Sequence, residues 1–348
     1  MNRQRPSALT KLFLFFLFQL FCVAALAQMP ALSPLPGTGS LSQPTDASKF
    51  VFVLAGDNRP AHSGDPQSAV PGNIFCAVQK MNPPTAFVLW TGDTISGKAP
   101  EHPKRIHDQY KEFLGIAARA GVPVFNAPGN HEMDDSKETP SKTMKHLYRK
   151  YMAGTYGAFS YGNTRFIALD SENEPSSASK SLTTAEGEAK VQAPGAITKT
   201  QLKLLKEDLD ANKNMAHVII FMHHPVKPYE KKDGLDEASK KALEDLFAGY
   251  KNVSYVISGH EHMYFNPQGS KDQFTPPPAR TDPSQPPTYL VSGGAGAPLK
   301  SNTPGSFFHY LVFTVNGNQI TPSLIKVPEI NICTMGAVKE PANFAVLK

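Results

Sequence analysis

Val253-Ser254-Tyr255-Val256-Ile257-Ser258-Gly259-His260-Glu261-His262 reads as a buried strand running straight into a glycine and two histidines. The β-branched and aromatic run is too short for a helix and fits one strand of a covered sheet. The glycine ends it. The same arrangement recurs upstream. Phe50 to Leu54 leads to Gly56-Asp57, and Ala86 to Trp90 leads to Gly92-Asp93. Val122 to Asn126 leads to Gly129-Asn130-His131, and His217 to Met222 leads to His223-His224-Pro225. Five apolar strands thus end in polar, chemically capable residues.

Helical periodicity fills the intervals. Val70, Ile74, Phe75 and Val78 share one face, as do Ile106, Tyr110, Phe113, Leu114 and Ala117. Met144, Leu147, Tyr148 and Tyr151 mark a third helix, Leu202, Leu205 and Leu209 a fourth, and Leu235 to Tyr250 a fifth. Two further strands are expected at Ala158–Tyr161 and Arg165–Leu169, and one at Tyr289–Val291. The end reads as a hairpin, His309–Val315 and Ile320–Lys326 around Asn316-Gly317. This alternation is an α/β pattern that turns β-rich late in the chain. In such sheets, sites form outside the carboxyl ends of strands, so the five ends are expected to face one cleft.

The flanks differ. Arg3, Arg5 and Lys11 precede an apolar run, Leu12 to Leu26, and Ala25-Leu26-Ala27 is a small-x-small cleavage site. That is the pattern of a secretory signal cleaved after Ala27, with a secreted or periplasmic destination. The run is shorter than the roughly 20 residues that span a bilayer, so no stable membrane insertion is expected after cleavage. Residues 28–48, rich in Pro, Ser, Gly and Thr, read as a flexible leader. The main domain is expected over 49–328 and a tail over 329–348. Residues 171–197 read as a polar excursion or mobile loop. Cleavage removes three basic residues, lowering 35 to 32 against 30 acidic ones. A near-neutral mature chain with a single Trp argues against nucleic-acid binding. Cys76 and Cys333 remain in the mature chain, and export permits a disulfide.

The strand ends supply Asp57, Asp93, Asn130 and several histidines. Carboxylate and imidazole together suit first-row transition metals better than calcium or magnesium. Two cations about 3.5–4 Å apart can activate water and clamp a phosphoryl group. Singly these signals are weak. Gly-Asp is a common turn dipeptide, and a His-x-His pair can simply face solvent. Their strength lies in coming together, each directly after a strand.

The ordered blocks Asp57-Asn58-Arg59, Gly92-Asp93, Gly129-Asn130-His131-Glu132, His223-His224-Pro225 and Gly259-His260-Glu261-His262 resemble the calcineurin-like metallophosphoesterase superfamily. The resemblance covers roughly residues 49–326. It implies an α/β, four-layer αββα sandwich of two mixed β-sheets carrying a dinuclear centre of divalent or trivalent Mn, Fe or Zn ions. In it Asp93 would bridge the metals. Asn130, His223 and His260 would complete one, and Asp57 and His262 would serve the other. His131 would be catalytic, protonating the leaving oxygen or stabilising charge. Glu132 would orient His131 or form a surface salt bridge, and His224 would support the ligands.

One residue departs from the pattern. The superfamily usually has Asp-x-His in the first block, and here the third residue is Arg59, which cannot ligate a cation. Purple acid phosphatases also lack that histidine but use a tyrosine where this chain has Ser96. The Asp57/His262 metal is therefore expected to be the weaker one. Arg59 either holds a phosphate oxygen of the substrate or pairs with a nearby carboxylate. His62 is a further candidate for the open ligand position. The implied activity is hydrolysis of a small phosphomonoester or phosphodiester by a metal-bound hydroxide. The alternative is a catalytically impaired protein of the same fold that binds a ligand or a surface.

Overall fold

Side-chain alternation along the strands decides the layers. In β1 (Lys49–Ala55), Phe52 and Leu54 enter one core while Val53 and Ala55 enter another. In β2 (Thr85–Trp90), Phe87 and Leu89 separate in the same way from Val88 and Trp90. Successive side chains of a strand point to opposite faces, so a strand covered on both sides must be apolar throughout. That explains the continuous runs in the sequence.

The structure is a computed structural model that describes residues 28–97, 103–133, 141–172, 194–269, 273–280, 282 and 284–330. The signal segment, most of the 171–197 excursion and Cys333 lie outside the described residues. β1 and β2 continue into β3 (Val124–Asn126) as a parallel set, and β1 also pairs antiparallel with β10 (His309–Asn316), which pairs with β11 (Gln319–Lys326). The second sheet has the order β4 (Gly157–Tyr161), β5 (Thr164–Ala168), β6 (His217–Met222), β7 (Val253–Ser258), β9 (Thr288–Ser292), β8 (Tyr264–Phe265). Its strands β5, β6, β7 and β9 are parallel.

Three cores separate four layers. Helices α1 (Ala69–Gln79), α2 (Pro103–Ala117) and α4 (Ser141–Tyr151) cover the first sheet through Ile74, Phe75, Phe113 and Tyr148. The two sheets meet through an aromatic layer in which Phe52 packs edge to face with Phe166 at 5.2 Å and Phe125 stacks on Phe159 at 3.9 Å. Helices α5 (Lys199–Ala211) and α6 (Glu237–Ala248) cover the second sheet through Leu205, Leu209, Leu243 and Phe247. The architecture is the expected αββα sandwich of two mixed sheets. Among the described residues, no helix is long and apolar enough to cross a membrane.

Residues 28–48 depart from the flexible leader expected of them. Met29, Leu32 and Leu35 are buried. The Leu32 N–H donates to the Ala158 carbonyl and the Leu35 N–H to the Val124 carbonyl, so this strap ties the edges of both sheets. Its apolar residues sit three apart among prolines, a spacing with no strand or helix signature. The ends of the 171–197 excursion also meet, since the Ala196 N–H donates to the Ser171 carbonyl. Cys76, buried in α1, is disulfide-bonded, and its partner lies outside the described residues.

Candidate metal centre

The parallel strands deliver their carboxyl ends to one edge of the sandwich. Asp57 follows β1, Asp93 follows β2, Asn130 opens the single-turn helix α3 (Asn130–Met133) after β3, His223 follows β6, and His260 and His262 follow β7. The backbone there is strained. Asp57, Asp93, His260 and His262 have φ of 63°, 52°, 73° and 49°, four of the five non-glycine residues with positive φ among those described. Such conformations are disfavoured for side-chain-bearing residues and persist where the surroundings impose them. Here they turn side chains back over the strand ends. Gly259 is required for close approach: a Cβ there would lie 2.1 Å from Asp57 Oδ2.

Asp93 is the hub. Its Oδ1 accepts from the His131 backbone N–H at 3.1 Å and lies 3.4 Å from His223 Nε2. Its Oδ2 lies 3.4 Å from Arg59 Nε and 3.9 Å from the Nε2 atoms of both His131 and His262. Burial works against this carboxylate, but His223, His131, His262 and Arg59 hold its pKa well below the usual range. Asp57 goes the other way, pushed up by burial and by the Asp93 charge. Its Oδ1 accepts from the His260 N–H at 2.8 Å, while its buried Oδ2 has no hydrogen-bond partner. One ligand atom from each of Asp57, Asp93 and His262 lies within 4.8 Å of the others, so this cluster could hold a metal ion.

Backbone carbonyls aim the imidazoles. Nδ1 of His223 lies 2.7 Å from the Thr91 carbonyl, and Nδ1 of His262 lies 2.6 Å from the Pro298 carbonyl. A carbonyl only accepts, so Nδ1 carries the proton in both rings and Nε2 faces the cleft with its lone pair. His223 Nε2 then lies 3.0 Å from Asn130 Oδ1 and 3.0 Å from His260 Nδ1. Burial lowers the pKa of both His223 and His260, which favours neutral rings. His131 is set likewise, with Nδ1 2.6 Å from the Ser96 carbonyl. Ser96 therefore contributes its backbone to the site, a role with no side-chain signature in the sequence.

Glu132 is neither the orienting partner of His131 nor a surface ion pair. It is fully buried. It accepts from the N–H groups of Asp93, Thr94, Ile95 and Gly129 and from the Thr94 hydroxyl. Burial and the neighbouring Asp93 push its pKa up to about 8, against the pull of these donors. All five partners can donate, so they favour the ionised form that burial and the Asp93 charge oppose. Glu132 thus locks the loop after β2 to the loop after β3. His224, also buried, pairs with Glu172 through Nδ1 at 2.8 Å; burial opposes its protonation, but Glu172 outweighs that and raises its pKa.

Arg59 lines a cleft of about 200 Å³ together with Asp93, Asn130, His131, His260 and His262, with Asp233, Glu261 and Lys300 on the wall. Of the two arrangements expected of it, the structure has the carboxylate pairing, beside Asp93, and Arg59 also lines the cleft. Lys300 and Asp233, 2.8 Å apart, were not singled out in the sequence. Asp233 ends a short 3-10 turn and Lys300 lies in a loop, neither with a motif, and they join the cleft only through the fold. His62 is exposed and is not part of the cleft lining. His107 bonds Tyr151, with its Nδ1 2.6 Å from the hydroxyl.

Residues 61–264 match the profile of the family described as Calcineurin-like phosphoesterase. The chain belongs to this family. The match includes Asp93, Asn130, His131, His223, His260 and His262 and begins just after Asp57 and Arg59. A 3',5'-cyclic adenosine monophosphate phosphodiesterase CpdA of Pseudomonas aeruginosa is 24% identical over 192 residues, 55% of this chain and 59% of that protein. The alignment thus spans less than two thirds of that relative's length. A purple acid phosphatase, PPD1, from yellow lupin has a TM-score of 0.55 at 16% identity, over 84% of this chain and 53% of that one. A dimetal phosphatase from Danio rerio has a TM-score of 0.55 at 15% identity, over 80% and 98%. Both likenesses establish the fold.

Proposed function

We propose that this family member is an exported phosphoric ester hydrolase working on a dinuclear metal centre built around Asp93. The observation that carries this is the convergence of acceptor atoms on both oxygens of one carboxylate. Asn130 Oδ1, His260 Nδ1 and Asp93 Oδ1 all lie within 3.4 Å of His223 Nε2. Asp57 and His262 gather near Asp93 Oδ2, and Asp57 Oδ2 is buried without a partner. On the Oδ1 side the crowded ring and amide acceptors are the donor set of a cation site, and on the Oδ2 side Asp57 and His262 offer the same chemistry around an oxygen that Arg59 Nε also approaches, at 3.4 Å. The residues therefore fit two transition-metal ions of the manganese, iron or zinc type. Such a pair supplies an activated water and neutralises the phosphoryl oxygens.

The chain's own groups do the rest. Asp93, with candidate ligands on either side, would hold both positions. His131 keeps its Nδ1–H on the Ser96 carbonyl and presents Nε2 to the cleft; once Nε2 has taken a proton from solvent, the imidazolium delivers it to the leaving alcohol oxygen and returns to the neutral ring. Arg59 offers a planar, always charged fork to a phosphate oxygen. Export is supported by the n-region, apolar run and cleavage site over residues 1–27, and by the disulfide at Cys76.

The purified protein loaded with Mn²⁺ or Zn²⁺ should hydrolyse p-nitrophenyl phosphate or its bis-ester. The activity of the Pseudomonas aeruginosa relative adds 3',5'-cyclic AMP as a diester to test. No turnover of any ester with two metals bound would sink the hydrolase and favour a ligand-binding protein of the same fold, for which Arg59 beside Asp93 is the supporting observation. Mass spectrometry of secreted protein should give a chain starting at Gln28, and a start at Met1 would refute export by cleavage.

A further inference from the structure

The Asp57-Asn58-Arg59 turn is pinned to the loop after β2. The N–H groups of Asn58 and Arg59 both donate to the Asp93 carbonyl, at 3.1 and 2.8 Å. Trp90 Nε1–H donates to Asn58 Oδ1 at 2.8 Å from the core side. The Arg59 backbone therefore cannot drift from Asp93. Its side chain is held far less. Nη1 makes one long bond, 3.3 Å to the Pro60 carbonyl, and the buried Nε makes no hydrogen bond. The guanidinium stays beside Asp93 Oδ2 mainly by charge, at 3.4 Å. The same oxygen lies 3.9 Å from His262 Nε2, which is 3.7 Å from Asp57 Oδ1.

We propose that Arg59 is a built-in competitor for the Asp57/Asp93/His262 metal position, and that a phosphate oxyanion in the cleft relieves the competition. This rests on the dinuclear reading above. A metal ion drawn to Asp57, Asp93 Oδ2 and His262 must share Oδ2 with a guanidinium that never loses its charge. Like charges a few ångströms apart at a poorly hydrated site weaken each other's binding. An oxyanion changes the balance, because it gives the loosely held fork a bidentate partner of its own. Occupancy of this position then depends on whether phosphate or a phosphoester is present. In its absence Arg59 neutralises Asp93 and the buried carboxylate is not left bare.

Isothermal titration of metal-free protein with Mn²⁺ tests this without reference to turnover. Wild type should bind one ion tightly and a second weakly. Arg59→Gln should tighten the weak position roughly tenfold or more, as expected for removing a neighbouring charge. Arg59→Lys, which keeps the charge, should leave it weak. In saturating inorganic phosphate, the gap between wild type and Arg59→Gln should narrow. Equal second-site affinity in wild type and Arg59→Gln overturns the competition. So does equal tightening by Arg59→Lys, which would point to bulk instead of charge. A gap that phosphate does not narrow overturns the relief. If neither wild type nor Arg59→Gln takes up a second ion, the dinuclear reading itself falls and takes this proposal with it.

Discussion

The two sides of Asp93 are built differently. On the Oδ1 side, Asn130, His223 and His260 come from the ends of three parallel strands, and His223 is wholly buried. Glu132 stands behind them, tying the Asp93 and Gly129 backbones together. On the Oδ2 side, Asp57 and His262 lean on a loop from late in the chain. The Ala297 N–H donates to the Asp57 carbonyl, and the Pro298 carbonyl accepts from His262. Arg59 stands where a further imidazole is usual. Both sides start from strand ends, but a side braced by Glu132 and a looser side that shares its carboxylate oxygen with Arg59 and leans on a late loop should not hold metal equally. An asymmetric centre can follow from how each side is supported as much as from the ligands present.

The largest effects should come from removing one imidazole on each side in turn. His223→Gln should weaken the tight metal by on the order of 10²-fold or more, since it deletes a ligand whose supports alone are worth 10–100-fold. His262→Gln should leave the tight metal in place and abolish only the weak one. Metal content after gel filtration reads the difference, and equal losses in both variants would dissolve the distinction. Changing His131→Gln should leave both metals bound yet lower kcat by about 10²–10⁴, the usual range for a general acid. Lost metal in that variant would mean that His131 holds the site together and does not act on the leaving group.

Support from behind should matter less than the ligands, and on one side only. Glu132→Gln puts an amide NH2 among five donors, leaving at least one buried donor unpaired. The expected cost is about 1–3 kcal/mol of stability, with a fall of about 10–100-fold in tight-site affinity. Thermal melts and metal titration of the variant check both. A variant that loses the weak metal first would put Glu132 behind the other side.

What the sequence disclosed follows from this difference. Strand-end residues were legible because a covered parallel strand is an unbroken apolar run, and the residue after it must turn. The layer order came from the resemblance, and the alternation of Phe52 and Val53 between cores is its physical basis. The resemblance brought His131 to the cleft but misjudged Glu132, whose neighbours are mostly backbone N–H groups that no pattern of residue types records. Met29, Leu32 and Leu35 were hidden among prolines, because a strap needs no periodicity to be buried. Lys300 and Asp233 were hidden because segments 67 residues apart in sequence meet only in the fold.

The smallest effect concerns the turn under the looser side. His309 is fully buried behind Gly294, with Nδ1 2.8 Å from the Phe307 carbonyl and Nε2 3.1 Å from the Ser292 hydroxyl. Its own N–H donates to the Gly294 carbonyl at 2.9 Å. The rings of Tyr264 and Phe307 flank it at 5.8 and 5.4 Å. Burial lowers its pKa to about 4 from 6.5. The unfolded chain therefore takes up this proton more readily than the folded one. Stability from the neutral ring is complete above about pH 6.5 and is lost as pH falls toward 4, amounting to about 2 kcal/mol at pH 5. The turn that supports Asp57 and His262 should loosen with it, so the weak metal should leave before the tight one as pH falls. Thermal melts at pH 7 and pH 5 should show a smaller drop for His309→Gln, which keeps a donor for the Phe307 carbonyl and has no proton to gain. The same drop in both proteins would mean that the looser side owes its weakness to Arg59 alone.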